Sequence, residues 1–154
     1  MKETGHTERG DDPFDLNRFV RAQEGVHDRA LAELKGGRKR THWMWYVFPQ
    51  IDGLGHSPTT KYYSIKSTAE ARHYLEHPVL GARLVECGEA LLALKGRSVS
   101  EIFGYPDDLK LKSSMTLFAA VAGSPSVFDR VLDNYFDGER DTRTLQLMRG
   151  PGRE

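Results

Sequence analysis

The chain has 154 residues, 38% hydrophobic and 29% charged, a size at which one domain can hide about 70% of its unfolded surface and build a core. No apolar run approaches the ~20 residues that a bilayer demands, and the polar start offers no stretch of the kind a secretory leader needs, so a cytoplasmic protein is expected. Twenty-two basic side chains balance twenty-two acidic ones, so no global field draws nucleic acid or anionic lipid; nucleic acid is not an expected partner, and any anion recognition has to be local.

Residues 1–12 carry charge and glycine without periodicity and read as a mobile tail, as does the short stretch 150–154, which leaves 13–149 as a single domain. Asp12-Pro13 is an N-cap followed by proline, and the stripe Leu16, Phe19, Val20, Val26, Ala30, Leu31, Leu34 predicts a helix over 13–35 that stops at Gly36-Gly37. Gln23 and His27 fall inside this stripe, either to satisfy buried backbone groups or to reach a site.

The next segment, Arg38-Lys39-Arg40-Thr41-His42-Trp43-Met44-Trp45-Tyr46-Val47-Phe48-Pro49-Gln50, sets three cations against both tryptophans. Local propensity over Trp43–Phe48 favours a strand, but no second strand exists to pair with it and an isolated one leaves its backbone unsatisfied. A helix is therefore expected, capped by Thr41 and ended by Pro49.

After a loop with Gly53 and Gly55, Ser57-Pro58 starts a short helix through Ile65, and Ser67 with Glu70 makes a capping box over Thr68–Glu76. Pro78 opens a longer helix to about Leu94, whose Leu80, Leu84, Cys87, Leu91 and Leu94 repeat at helical spacing. Cys87, the single cysteine, has no disulfide partner within the chain and reads as core rather than nucleophile. Ser98 and Glu101 box a one-turn helix ended by Gly104, and Pro106-Asp107-Asp108 opens a helix with Leu111, Met115, Phe118 and Ala122 on its apolar face and Lys110, Lys112, Ser113, Ser114 on a polar shoulder. Ser124-Pro125 starts another, and Asp141 caps a last short helix. The expectation is all-α: a compact single-domain bundle of about seven or eight short to medium helices.

The Arg38–Gln50 segment, Gly53-Leu54-Gly55, Ser57-Pro58, His77-Pro78-Val79-Leu80-Gly81 and Asp107-Asp108-Leu109-Lys110-Leu111-Lys112-Ser113-Ser114-Met115-Thr116-Leu117-Phe118 together resemble the domain-of-unknown-function family 1810, over nearly everything from Phe14 to Met148. The resemblance implies a compact, mostly helical bacterial domain and carries no activity or site residues with it; the calpastatin label used for some members matches no inhibitor-like feature of this sequence.

Cations directly before aromatic residues suit a phosphate or carboxylate, with an arginine fork on the anion and an indole face on a base. The expected site is accordingly a small anionic or nucleotide-like ligand at Arg38, Lys39, Arg40, His42, Trp43 and Gln50, joined by Gln23 and by Lys110 and Lys112 if folding brings them close, with His42 the candidate acid or base should a reaction occur. The competing readings are a solvated basic turn, or cations paired with acids nearby in space, and, for the whole chain, a protein-interaction module whose aromatic segment is core. His73-Tyr74-Leu75-Glu76-His77 matches H-x-x-E-H, a zinc pattern, but Pro78 ends the helix at once and no third ligand is placed, so no metal is assigned. Asp107 and Asp108 read as first-turn acids suiting the helix dipole. P-loop, G-x-S-x-G and G-x-G-x-x-G patterns are missing from the sequence, and no cofactor is called for.

Overall fold

The computed structural model describes residues 12–150, so the tails expected at the two ends lie outside the described residues apart from Asp12 and Gly150. Ten helices follow one another among the described residues: α1 Asn17–Gln23, α2 His27–Lys35, α3 Met44–Val47, α4 Pro58–Tyr63, α5 Thr68–Glu76, α6 Leu80–Ala93, α7 Val99–Phe103, α8 Asp107–Val121, α9 Val127–Phe136 and α10 Thr142–Arg149. The all-α expectation holds there, with one isolated parallel bridge between Ile51 and Ile65.

The helix count exceeds seven or eight because elements are shorter and more divided than the periodicity suggests. The helix expected over 13–35 is two: Glu24 is extended and Gly25 takes φ +71, a conformation open to glycine at little cost, so the chain turns between α1 and α2. The entry is also later than Pro13. Asp12 is not the N-cap of α1: Leu16 holds that position without a side-chain cap, and the Asp12 carboxylate instead accepts the N–H groups of Leu16 and Asn17 at 2.7 and 2.9 Å from four and five residues upstream. The stretch Trp43–Phe48 is helical for one turn only, and Thr41 does not cap it, because its hydroxyl donates to Glu33 instead. α4 stops at Tyr63 rather than Ile65, since Ile65 is drawn into the bridge, donating to Gln50 O and accepting from Asp52 N, each at 2.8 Å.

Of the capping signals, Ser57, Ser67, Ser98 and Asp141 each accept a backbone N–H of their helix. Ser67 and Glu70 do not form the reciprocal box, however: Glu70 turns inward to Arg18 and to the Lys66 N–H. α9 begins two residues beyond Ser124-Pro125, where Ser126 and Asp129 make a capping box.

Two helices form the middle of the bundle. α8 packs against α5, α7, α9 and α10, and α6 against α2, α5 and α9. The expected polar shoulder of α8 is partly wrong: Ser113, Ser114 and Thr116 are buried with Leu111, Met115, Leu117, Phe118 and Ala119. Two of these hydroxyls reach the carbonyl one turn back, Ser113 to Leu109 and Thr116 to Lys112, whereas the Ser114 hydroxyl is buried without a partner among the described residues. The Leu80–Leu94 period does face the core, and Gly81 lets α5 and α6 meet closely, since a Cβ there would stand 2.0 Å from the Leu75 carbonyl oxygen.

Rings thread the core from α1 to α9: Phe19 to Tyr74 at 5.1 Å, Tyr74 to Phe118 at 5.2 Å, Phe118 to Phe128 at 5.9 Å. A second group, Trp43, Phe48 and Phe103, fills the corner beneath the basic segment. Arg18 is the buried cation that ties α1 to the Tyr62–Ser64 stretch and α5. Its guanidinium donates to the carbonyls of Phe14, Asp15, Tyr62 and Ser64 and to Glu70 at 2.8 Å.

Candidate functional site

The basic segment is folded around one carboxylate. α2 ends in a Schellman turn, in which Gly37 at φ +84 donates to Leu34 O and Arg38 N donates to Glu33 O. The Glu33 side chain then accepts the Arg40 N–H at 2.8 Å, the Thr41 N–H at 3.1 Å, the Thr41 hydroxyl at 2.7 Å and the Trp43 indole N–H at 2.8 Å. Burial by itself would raise this carboxyl; the bonds from Arg40, Thr41 and Trp43 overcome it and hold Glu33 at about 2. Donors that converge on an anion in this segment are therefore already engaged by the chain's own Glu33. Arg38, Arg40 and His42 are turned to solvent, while Trp43 is fully buried.

Lys39 goes the other way. Its side chain is only 7% exposed; Nζ lies 5.1 Å from the Trp43 ring centroid and 2.9 Å from Asp107 Oδ2. Asp107 also holds Lys110 at 3.6 Å, and the Lys110 ammonium stands 5.9 Å from the centroid of Trp45, within cation–π reach. Asp107 is thus an ion-pair partner of two lysines as well as a first-turn acid. One carboxylate between two ammoniums leaves a local surplus of positive charge beside a half-exposed indole.

Trp45 forms one wall of a shallow recess whose other walls come from Gln50, the Gly53–Gly55 loop, Thr60 and Tyr63. Its cavity volume is about 10 Å³, on the order of one water molecule, so it is not a ready-made chamber for a small molecule, which takes about 300–1,000 Å³. Gly55 sits so close to Thr60 that a Cβ would fall 2.4 Å from its methyl carbon, so a side chain at Gly55 would push into Thr60 on the recess wall. Burial, and then the neighbouring Tyr62 and Tyr46, raise the Tyr63 phenol above its ordinary range, so its hydroxyl stays protonated.

The remaining expected residues separate. Gln23 is buried, donating to Tyr46 O at 2.6 Å and to the Tyr74 hydroxyl at 3.2 Å, and its carbonyl accepts from Arg83. Lys112 pairs with Glu139 at 2.6 Å. Lys110 alone of the two α8 lysines is linked to the basic segment. His77 does end its helix, and its Nδ1 accepts the Val79 and Leu80 N–H groups at 3.1 and 3.2 Å, making it the side-chain cap of α6. Among the described residues no three His, Cys, Asp or Glu side chains gather to hold a metal.

Glu33 and Arg97 were not singled out by sequence reasoning, and Trp45 was marked only as one of the two tryptophans of the Arg38–Gln50 segment. Glu33 could have been: an acid in the last turns of a helix opposes the dipole, and that anomaly flags a carboxylate with partners elsewhere. Arg97 carries no such mark.

Fold and site together define a compact helical domain with a cation-flanked aromatic face. The chain belongs to the family described as protein of unknown function DUF1810, whose profile matches residues 13–148. It is similar to a solved structure, the conserved hypothetical protein Rv1873 from Mycobacterium tuberculosis, with 52% identity, 89% of this chain and 98% of that one covered, and a TM-score of 0.87. No curated protein matches the chain.

Proposed function

We propose that the chain binds a small anionic, nucleotide-like ligand across the outward face of the Arg38–Gln50 segment, centred on Trp45. The observation that carries this reading is the Lys110 ammonium held over Trp45 beside the recess that Gln50 borders. An aromatic plane, a cation and an amide that both donates and accepts are what a base with an attached phosphate needs. The recess admits little, so the ligand lies across it with one face in solvent. His42 stands exposed on the same segment and is the candidate acid or base should the bound ligand react.

Titrating adenosine monophosphate while following tryptophan emission tests this. Trp43 is buried and Trp45 half-exposed, so saturable quenching is expected in the native chain, lost in Trp45→Phe and weakened several-fold in Lys110→Ala. No quenching at millimolar ligand rejects the reading. A second reading, a protein-interaction module, is favoured by Tyr105 and Leu109, which are 83% and 50% exposed at the opening of α8; a partner there would shield Tyr105 without touching the Trp45 signal.

A further inference from the structure

Folding sets a second basic turn against the first. Lys95-Gly96-Arg97 joins α6 to α7, and the Arg97 side chain lies over Gly37, where a Cβ would stand 3.0 Å from its Nε and 3.6 Å from its Cζ. The Lys39 N–H donates to Ile102 O at 2.7 Å and ties the first turn to α7, the helix that follows the second. The stretches 34–42 and 91–98 contain Lys35, Arg38, Lys39, Arg40, Lys95 and Arg97 and not one carboxylate. All of these cations except Lys39 are exposed, and among the described residues neither Arg38, Arg40 nor Arg97 enters an ion pair.

Acids of the adjoining elements are engaged by the chain itself. Glu33 accepts the Arg40, Thr41 and Trp43 donors, Glu101 accepts the Ser98 N–H, Asp107 lies between Lys39 and Lys110, and Asp108 accepts the Leu109 N–H. In a chain with no net charge, this is a local positive surface. The contacts Lys39 to Asp107, Asp107 to Lys110 and Lys110 to Trp45 join it to the aromatic recess.

We propose that the ligand is a single-stranded nucleic acid, one base on Trp45 and the neighbouring phosphates on Arg38, Arg40 and Arg97; this rests on the reading of the Trp45 face above. Lys110 beside Trp45 serves one phosphate, and the further exposed cations Arg38, Arg40 and Arg97 exceed what a single phosphate uses. Cations spread over two adjoining turns instead match an anion whose charges repeat along a backbone. Stacking on Trp45 requires an unpaired base, which selects a single strand over a duplex.

Fluorescence anisotropy with labelled oligothymidylates of about 5 and about 15 nucleotides tests it, spanning the usual footprint of such surfaces. Binding should tighten with length, and three phosphate contacts imply a loss of about 20-fold between about 50 and 200 mM salt. Arg38→Glu with Arg97→Glu should weaken the longer strand at least tenfold with an unchanged thermal melt; if that pair fails to fold, Arg38→Gln with Arg97→Gln gives the same comparison. Length-independent binding, or binding unaltered by the double change, overturns the inference, and quenching of Trp45 by adenosine monophosphate in that case leaves the small-ligand reading standing. A duplex or heparin held as tightly as the single strand also overturns it. Failure of monomer and oligomer alike removes both.

Discussion

The indole N–H of Trp43 donates to the Glu33 carboxylate at 2.8 Å, joining the last turn of α2 to the aromatic corner seven residues beyond the Gly36 stop. The same carboxylate takes three further donors from Arg40 and Thr41. Glu33→Gln should therefore cost ~1–3 kcal/mol by weakening charge-assisted bonds and leaving donors poorly paired. The pH dependence follows from the lowered carboxyl. With Glu33 at about 2 in the fold and near ~4.3 in the unfolded chain, its contribution is complete above the unfolded value and is lost as pH falls through the folded one. Chemical denaturation from pH 6 downward should show a shallower acid loss in Glu33→Gln than in the native chain.

Neighbouring side chains of the basic segment should separate cleanly in thermal melts. Arg40→Ala, on an exposed residue, should change stability by less than ~1 kcal/mol. Trp43→Ala should cost ~3–5 kcal/mol as a core truncation. Lys39→Ala should fall between, since it leaves Asp107 with Lys110 alone and uncovers the Trp43 face. An Arg40 variant as damaging as the Trp43 one would mean that the arginine is a structural partner.

His77 caps α6 with an unprotonated Nδ1. Burial lowers its pKa, against a small opposing effect of Asp12. The folded chain thus prefers neutral His77, so its stability is full above the unfolded value of ~6.5 and falls as pH drops through and below it. His77→Asn retains an acceptor without the titration, and the slope of stability against pH just below 6.5 should flatten in it.

Cys87 is fully buried in the α6 stripe, and burial, helped by Glu86, pushes its thiol up to about 12. A thiol reagent should label it slowly in the native chain and quickly in denaturant. Equal rates would mean that α6 opens or faces water. Cys87→Ser should cost ~1–3 kcal/mol, because a hydroxyl would enter an apolar stripe.

Arg18→Lys should behave as a severe change despite keeping the charge. Arg18 bonds four carbonyls and Glu70 through a planar fork that an ammonium cannot imitate. A loss of ~3–5 kcal/mol in urea denaturation is expected, as for a broken buried pair. The double change Arg18→Met with Glu70→Gln should cost less than the two single changes summed.

The sequence by itself determined the elements whose signals are local: the caps at Ser57, Ser67, Ser98 and Asp141, the Gly36-Gly37 stop, and the α6 period with Cys87 inside it. Each depends on a side chain and a backbone group a few residues apart, so spacing suffices to read them. Tertiary structure decided the rest. Whether Glu70 completes a box or turns to Arg18, whether Ser114 faces solvent or core, and which cation of Arg38-Lys39-Arg40 is buried all depend on partners 50 or more residues away for the first and on the packing of α8 for the others. The same holds for the candidate site. Composition marked the Arg38–Gln50 segment, but the fold placed Trp43 inside, left Trp45 at the surface under Lys110, and laid Arg97 over Gly37, because a side chain's exposure is set by what packs against it and not by its neighbours in the chain.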